Sequence, residues 1–147
     1  MGVEIERKFL VRKEALPELP QGDQLEQGYL SIDPAVRVRL VARPDGTRSA
    51  ALTIKGKGLL TRAEYEYPIP VEDAEAMLHL CKRSLRKVRR ALGPFVLDHF
   101  KEHDLWLAEI ELKSESEIFS KPPWLGEEVT QDPNYSNTRL AEERSAQ

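Results

Sequence analysis

The feature that most constrains this chain is a set of short apolar segments in which charged residues hold every second position. The first is Val3–Val11, where Glu4, Glu6 and Lys8 hold every second position and Val3, Ile5 and Phe9 lie on the alternate ones. Residues two apart share a face of a β-strand. Read as a strand, this segment places two carboxylates and an ammonium on one face and apolar side chains on the other.

The alternation recurs along the chain. The later pairs are Arg37 and Arg39, Thr53 and Lys55, Glu64 and Glu66, Lys87 and Arg89, and Glu109 and Glu111, with Asp98 alone in its segment. Each of these later pairs carries one sign of charge, whereas random surface decoration would mix the signs. This segregation favours an interior with basic walls and acidic walls.

Turn residues divide the chain into eight predicted strands. Asp33-Pro34, Pro44-Asp-Gly46 and Gly93-Pro94 are typical turn sequences. The strands are predicted at 3–12, 24–31, 35–43, 47–56, 61–69, 84–92, 94–101 and 105–113. Such strands predict a mainly β (α+β) fold, an eight-stranded antiparallel barrel closed around a water-filled tunnel.

Helices are predicted at three places. Over 71–82, the residues Ala74, Met77, Leu78 and Cys81 fall on one helical face, so Cys81 is expected in the core. Ser114 and Glu117 resemble a capping box for a short helix before Pro122-Pro123. A last helix is predicted to start near Asn137 and to run through Leu140 and Arg144.

Length and composition argue against several classes of protein. With 147 residues, the chain is predicted to be one domain spanning 1–147. The net charge of −3 gives no basic field for nucleic acid, and no apolar run is long enough for a transmembrane helix. One cysteine excludes a disulfide framework. A charged strand begins at once, so no signal peptide is expected and a cytoplasmic location is predicted.

Facing basic and acidic walls suit one class of ligand. Lysine and arginine bind phosphate oxygens, and carboxylates bind the hard ions Mg²⁺ and Mn²⁺. A polyphosphate bound with a divalent metal needs both. The alternative from the pattern alone is a set of cross-strand salt bridges on a solvated sheet face.

The same residues resemble a known family. Glu4-Ile-Glu-Arg-Lys8 is similar to the E-x-E-x-K signature of the CYTH superfamily, the triphosphate tunnel metalloenzymes. The later pairs and Asp98 resemble the further strands of that family in order. The segment Pro122–Thr130 and the residues after it resemble the tail of small bacterial single-domain members. The resemblance covers essentially the whole chain.

The resemblance implies a tunnel that binds a triphosphate with Mg²⁺ or Mn²⁺, closed at one mouth by the C-terminal helix. The implied phosphate ligands are Lys8, Arg37, Arg39, Lys55, Lys87 and Arg89. The implied metal side consists of Glu4, Glu6, Asp98, Glu109 and Glu111. Glu64 and Glu66 match acidic family positions, with no metal-binding role assigned to them.

The resemblance does not fix the reaction. Hydrolysis of inorganic triphosphate is favoured. The alternatives are a class IV adenylyl cyclase, a phosphatase of thiamine triphosphate or nucleoside triphosphates, and a non-catalytic polyphosphate-binding module. The expected partner is a small triphosphate, without nucleic acid or membrane, and the oligomeric state is left open.

A proton acceptor for the attacking water is also needed. Like charges around a lysine disfavour its charged form, and Lys87 shares a strand face with Arg89. Lys87 is therefore the candidate base, and the hydroxyl of Tyr29 could orient it. The alternative is that Lys87 only binds phosphate and Tyr29 only packs at the barrel rim.

Overall fold

The computed structural model describes residues 2–143, and eight long strands dominate it. They are β1 Val3–Val11, β2 Asp23–Ile32, β3 Ala35–Ala42, β4 Arg48–Lys55, β5 Thr61–Ile69, β6 Arg83–Leu92, β7 Phe95–Phe100 and β8 Leu105–Glu111. All eight predicted strands are present within one or two residues of their expected bounds.

The eight strands form a closed antiparallel barrel, as predicted. Their order is β6-β2-β3-β4-β5-β1-β8-β7, and pairing of β6 with β7 closes the ring. Strand side chains alternate between the interior and the exterior of a barrel. The register therefore sends the alternating charged residues inward and the apolar residues outward.

Two short strands were not predicted. The first, β9 Leu125–Glu128, pairs with the second half of β1, because β5 pairs only with the first half, from Val3 to Ile5. The second, β10 Glu142–Glu143, pairs with β6. Strands of four and two residues are too short to show an alternating pattern, so the sequence gives no signal for either.

One helix, α1 Val71–Leu80, covers part of the outside of the barrel. Ala74 and Leu78 are buried against Val38 of β3, and Cys81 is buried directly after the helix. The predicted helix is confirmed, with its end two residues earlier. Gly28 permits the close approach, because a Cβ there would lie 2.7 Å from the Cys81 Sγ.

The segment after β8 covers another part of the outer face. The Phe119 ring meets those of Phe9 and Phe95 edge-on, at 5.8 and 6.1 Å between centroids, and Trp124 meets Phe95 at 5.1 Å. Apolar burial on the outside thus stabilises a barrel whose interior is polar.

The short helix predicted from Ser114 is wrong. The Glu117 amide donates to the Ser114 carbonyl at 3.2 Å, and the Glu117 carboxylate accepts from the Lys113 amide at 2.6 Å. These contacts close a single turn. The two prolines that follow leave no room for a second turn of helix.

The last predicted helix is much shorter than expected. It is α2 Asn137–Leu140, and its N-cap is Ser136, whose Oγ accepts from the Arg139 amide at 3.2 Å. The chain leaves the helix at Ala141 because it next joins β10. Arg144 lies outside the described residues. Neither α1 nor α2 has the length and apolar character of a membrane-spanning helix.

Candidate active site

The barrel encloses a cavity of about 160 Å³ whose lining residues are all charged or polar. The acidic ones are Glu4, Glu6, Glu64, Glu66, Glu109 and Glu111; the basic ones are Arg37, Arg39, Lys55, Arg62 and Arg89; Asn137 completes the lining. Buried charges are costly unless they are paired, solvated or bound to ions. How each charge is compensated therefore indicates what the cavity holds.

The basic wall on β3 consists of Arg37 and Arg39. One Nη of Arg37 donates to Thr53 Oγ1 at 3.1 Å, but its Nε is buried without an acceptor. Arg39 donates its Nε to Gln27 Oε1 at 2.9 Å. Burial, together with the positive charges of Arg37 and Arg89, lowers the pKa of Arg39 to about 9. Among the described side chains, neither Arg37 nor Arg39 has a carboxylate within salt-bridge distance, so this wall suits an anion.

The acidic wall lies on β1 and β8. The carboxyl groups of Glu6 and Glu109 hydrogen-bond to each other. Burial and the charge of Glu109 raise the pKa of Glu6 well above its usual range. Although burial favours the neutral acid, the hydrogen bond from Glu6 and the charges of Lys8 and Arg89 hold the pKa of Glu109 well below its usual range. Glu109 is also paired with Arg89, whose Nη lies 3.3 Å from its Oε1.

A third group of charges, on β6 and β7, is compensated internally. Both oxygens of Asp98 accept from Arg89, each at 2.8 Å, and its Oδ2 also lies 2.8 Å from Lys87 Nζ. Although burial opposes ionisation, Lys87 and Arg89 lower the pKa of Asp98. Burial, with Arg89 and Arg39, outweighs Asp98 and lowers the pKa of Lys87 to about 7.

Glu4 is compensated in a similar way. Its oxygens lie 3.2 and 3.3 Å from Lys55 Nζ, and the Arg62 Nε donates to it at 2.9 Å. Although burial opposes ionisation, these two cations lower the pKa of Glu4. Lys55 also reaches Glu64 at 3.3 Å. The Glu66 and Glu111 residues are more exposed and lie at the cavity rim.

Two predicted phosphate ligands lie outside the lining of the main cavity. The Lys8 Nζ donates to the Tyr135 carbonyl at 2.8 Å, and Lys8 lines a neighbouring cavity of about 30 Å³ with Glu6 and Arg62. Lys87 is fully buried behind Asp98, and its Nζ also donates to Asn137 Oδ1 at 2.9 Å. Lys87 is connected to the main cavity through Asn137, which lines it.

The expected contact between Tyr29 and Lys87 is wrong. The Tyr29 hydroxyl is buried and accepts from Gln27 Nε2 at 3.2 Å. Burial raises the pKa of Tyr29. The connection to Lys87 runs instead through Gln27 and Asn137, because β2 pairs Tyr29 with Arg83 and Lys87 with Leu25.

Sequence reasoning missed three residues of the site: Gln27, Arg62 and Asn137. Arg62 lies two positions before Glu64 on β5, so the alternation could have found it. Gln27 also points into the barrel, but an uncharged residue does not stand out in a pattern of alternating charges. Asn137 was interpreted as a helix cap, and only the path of the C-terminal segment brings it to the cavity.

The donor set fits a hard divalent cation that keeps water ligands. No three acidic, histidine or cysteine side chains within the described part of the chain converge into a complete metal cage. The Glu6–Glu109 pair nevertheless offers oxygen ligands, and a cation bound there would offset the burial and the charge of Glu109 that raise the pKa of Glu6. Mg²⁺ commonly uses one or two carboxylates, with water and substrate phosphates as its other ligands.

The predicted metal role of Asp98 does not fit this arrangement. Both of its oxygens are engaged by Lys87 and Arg89, so a metal ion would have to displace the cations that neutralise it. Both oxygens of Glu4 likewise accept from cations.

Comparisons with known proteins agree with this geometry. The family model described as CYTH domain matches residues 2–143. An inorganic triphosphatase of Acetivibrio thermocellus is 39% identical over 149 residues, covering 95% of this chain and 94% of that protein. An inorganic triphosphatase of Nitrosomonas europaea is 38% identical over 152 residues, covering 94% and 96%. A crystal structure of an inorganic triphosphatase aligns with a TM-score of 0.63 and 36% identity, covering 99% of each chain.

Proposed function

Because this chain belongs to the CYTH domain family, we infer that it hydrolyses inorganic triphosphate with the help of a divalent metal ion. One observation carries the inference from the structure. Arg37 and Arg39, which have no carboxylate within salt-bridge distance among the described side chains, line the same cavity as the neighbouring carboxyl groups of Glu6 and Glu109. An anion that arrives with a metal cation neutralises both walls at once.

The basic wall is proposed to bind the phosphate chain. The Arg37 Nε is a buried donor that a phosphate oxygen would satisfy, and Arg39 faces the same cavity. Arg89, held by Asp98, is a third donor at the cavity wall. Lys55 and Lys8 remain proposed phosphate ligands, and each would have to exchange a present partner, Glu4 or the Tyr135 carbonyl, for phosphate.

The acidic wall is proposed to hold the metal through Glu6 and Glu109, with Glu111 at the rim. A bound divalent ion supplies charge neutralisation at the phosphate oxygens. Mg²⁺ and Mn²⁺ are both proposed, because each prefers oxygen ligands. Asp98 is instead proposed to hold Lys87 and Arg89 in place. Glu4 is proposed to hold Lys55 and Arg62 in the same way.

Lys87 remains the proposed acceptor of the proton of the attacking water. Its Nζ is fixed between Asp98 and Asn137, of which Asn137 lines the cavity, and its pKa of about 7 allows a neutral amine to form. Tyr29 is proposed to act on Lys87 only indirectly, through Gln27. The cytoplasmic location also stays a prediction.

The direct test is orthophosphate release from a substrate panel. Triphosphate, ATP, thiamine triphosphate and longer polyphosphate are each supplied with Mg²⁺ or Mn²⁺. We expect triphosphate to give the highest kcat/KM and chelation to abolish turnover. Cyclic nucleotide from ATP would instead favour the cyclase, and binding without turnover would favour a polyphosphate-binding module.

A matched pair of variants links the activity to the cavity. Arg39→Ala removes a cation from the basic wall, whereas Arg12→Ala removes an exposed one. Hydrogen bonds to charged groups contribute about 1.5–3 kcal/mol, so Arg39→Ala should lower kcat/KM by roughly ten- to a hundredfold. Equal activities of the two variants would contradict the proposed binding role.

A further inference from the structure

A chain of neutral amides joins the two proposed functional cations. Gln27 is completely buried, and its Oε1 accepts from Arg39 Nε at 2.9 Å. Its Nε2 donates to the Tyr29 hydroxyl at 3.2 Å and to Asn137 Oδ1 at 3.4 Å. The same Oδ1 accepts from Lys87 Nζ at 2.9 Å. Arg39, Gln27, Asn137 and Lys87 therefore form one continuous hydrogen-bonded path.

The backbone on both sides of Asn137 is held to the barrel wall. The Tyr135 carbonyl, two residues before it, accepts from Lys8 Nζ at 2.8 Å. The Ala141 carbonyl, four residues after it, accepts from Arg83 at 2.6 and 3.1 Å. The Asn137 side chain also lines the main cavity. Asn137 is thus a fixed acceptor that the C-terminal segment presents to the cavity.

Asn137 restricts where the Lys87 ammonium can point. A lysine ammonium has three N–H donors. One is directed to Asp98 Oδ2 and one to Asn137 Oδ1, and the Phe100 ring lies 5.2 Å from Nζ. Without the Asn137 oxygen, only Asp98 would hold Nζ through a hydrogen bond, and the ammonium could rotate about that contact.

We propose that Asn137 and Gln27 are positioning residues for triphosphate hydrolysis. They hold Lys87 Nζ and the Arg39 guanidinium at a fixed separation through the path Arg39–Gln27–Asn137–Lys87. The inference rests on the proposed function, because it assigns Arg39 to phosphate binding and Lys87 to the attacking water. Neither amide is given a contact with the reacting phosphorus or the water.

The first test separates kcat from KM. Displacing a reacting group by about 1 Å can cost about a hundredfold in rate. Asn137→Ala should therefore lower kcat for triphosphate by roughly ten- to a hundredfold, while KM changes less than about threefold, because Arg37 and Arg39 still bind the substrate. Arg139→Ala, an exposed position on the same helix, is the matched control and should keep the kcat of the wild type.

The second test distinguishes a shared path from separate structural damage. Gln27→Ala and the double variant Gln27→Ala/Asn137→Ala are measured with the single variants. Residues that act through one network are non-additive. The double variant should lose little more kcat than the worse single variant. Each rate is divided by the fraction of protein that binds triphosphate, so that misfolded material is not counted.

The outcomes are distinguishable. An Asn137→Ala kcat within about threefold of the wild type, or a multiplicative loss in the double variant, would overturn the positioning role. The positioning role would also be overturned if the lower rate were explained entirely by a smaller fraction of protein that binds triphosphate. If the wild type itself released no orthophosphate while the variants still bound triphosphate, the proposed function would have failed instead.

Discussion

Two parts of the barrel interior handle buried charge differently. On β6 and β7, Asp98 is surrounded by Lys87 and Arg89 at 2.8 Å, so its charge is compensated within the protein. On β3, no carboxylate of the described side chains lies within salt-bridge distance of Arg37 or Arg39, and across the cavity burial and the charge of Glu109 raise the pKa of Glu6. The first arrangement holds the wall together. The second leaves Arg37 and Arg39 without a nearby anion and places Glu6 beside Glu109, whose only cation partner within salt-bridge distance among the described residues is Arg89 at 3.3 Å. A metal–triphosphate complex would supply the missing charges of both signs.

The largest effect should come from breaking the compensated group. Asp98→Asn keeps the size of the side chain but leaves the fully buried Lys87 without its counter-charge and Arg89 with only Glu109, at 3.3 Å. Removing one partner of a buried ion pair costs about 3–5 kcal/mol. The free energy of unfolding, measured by urea denaturation in the presence of a chelator, should fall by about that amount.

The control for this prediction is Glu14→Gln, which neutralises an exposed carboxylate. It should leave the urea midpoint nearly unchanged. A loss of less than about 1 kcal/mol in Asp98→Asn, the size typical of an exposed ion pair, would show that Asp98 is not the structural counter-ion.

The contrast between the two parts also shows where sequence reasoning stops. Strict alternation with turn residues predicted all eight barrel strands and brought Glu6, Arg37, Arg39 and Glu109 into one cavity, because strand periodicity fixes which face a side chain takes. It could not predict which charges pair, since pairing depends on register and side-chain reach. Asp98 was thus expected on the metal side but lies between two cations.

The C-terminal segment shows a second limit. The predicted last helix ends after four residues. Its N-cap is Ser136, and the Asn137 side chain instead accepts a hydrogen bond from Lys87. Local propensity favours asparagine as an N-cap. Here the tertiary contacts of the segment with Lys8, Lys87 and Arg83 override that preference, and no sequence pattern records such contacts.

An intermediate effect is expected from the metal side of the uncompensated cavity. Glu109→Gln removes the carboxylate beside Glu6, while Arg89, which also pairs with Glu109 at 3.3 Å, is still held by Asp98. The concentration of Mn²⁺ that gives half-maximal turnover should rise by roughly ten- to a hundredfold, which corresponds to about 1.4–2.8 kcal/mol. Glu127→Gln, at an exposed position of β9, is the control and should titrate like the wild type.

The smallest expected effect is a change in stability caused by Glu6→Gln, and its sign distinguishes the acidic wall from the Asp98 group. The folded-state pKa of Glu6 is raised, so its contribution to stability is present at low pH and is lost as the pH rises through that value. Glu6→Gln abolishes this loss. In chelator at alkaline pH, the variant should unfold at a higher urea concentration than the wild type, by roughly 1 kcal/mol, the scale of one net hydrogen bond.

A lower stability of Glu6→Gln at alkaline pH would contradict the inference that Glu6 and Glu109 repel each other. The comparison is made at two pH values. At pH 4, where the wild-type carboxyl is already protonated, the gap between Glu6→Gln and wild type should close. A variant that is less stable than the wild type at alkaline pH would mean that the Glu6 charge is compensated in the way that the Asp98 charge is.

The most direct test of the central claim is the melting temperature with triphosphate and Mg²⁺ together, compared with each alone and with neither. A ligand at about a hundredfold its Kd stabilises the folded state by about 2.7 kcal/mol. We predict a clear rise for wild type with both together and little or none for Arg37→Gln/Arg39→Gln. An unchanged wild-type melting temperature at saturating concentrations, or an equal rise in the double variant, would contradict the claim that the uncompensated walls bind the metal–triphosphate complex.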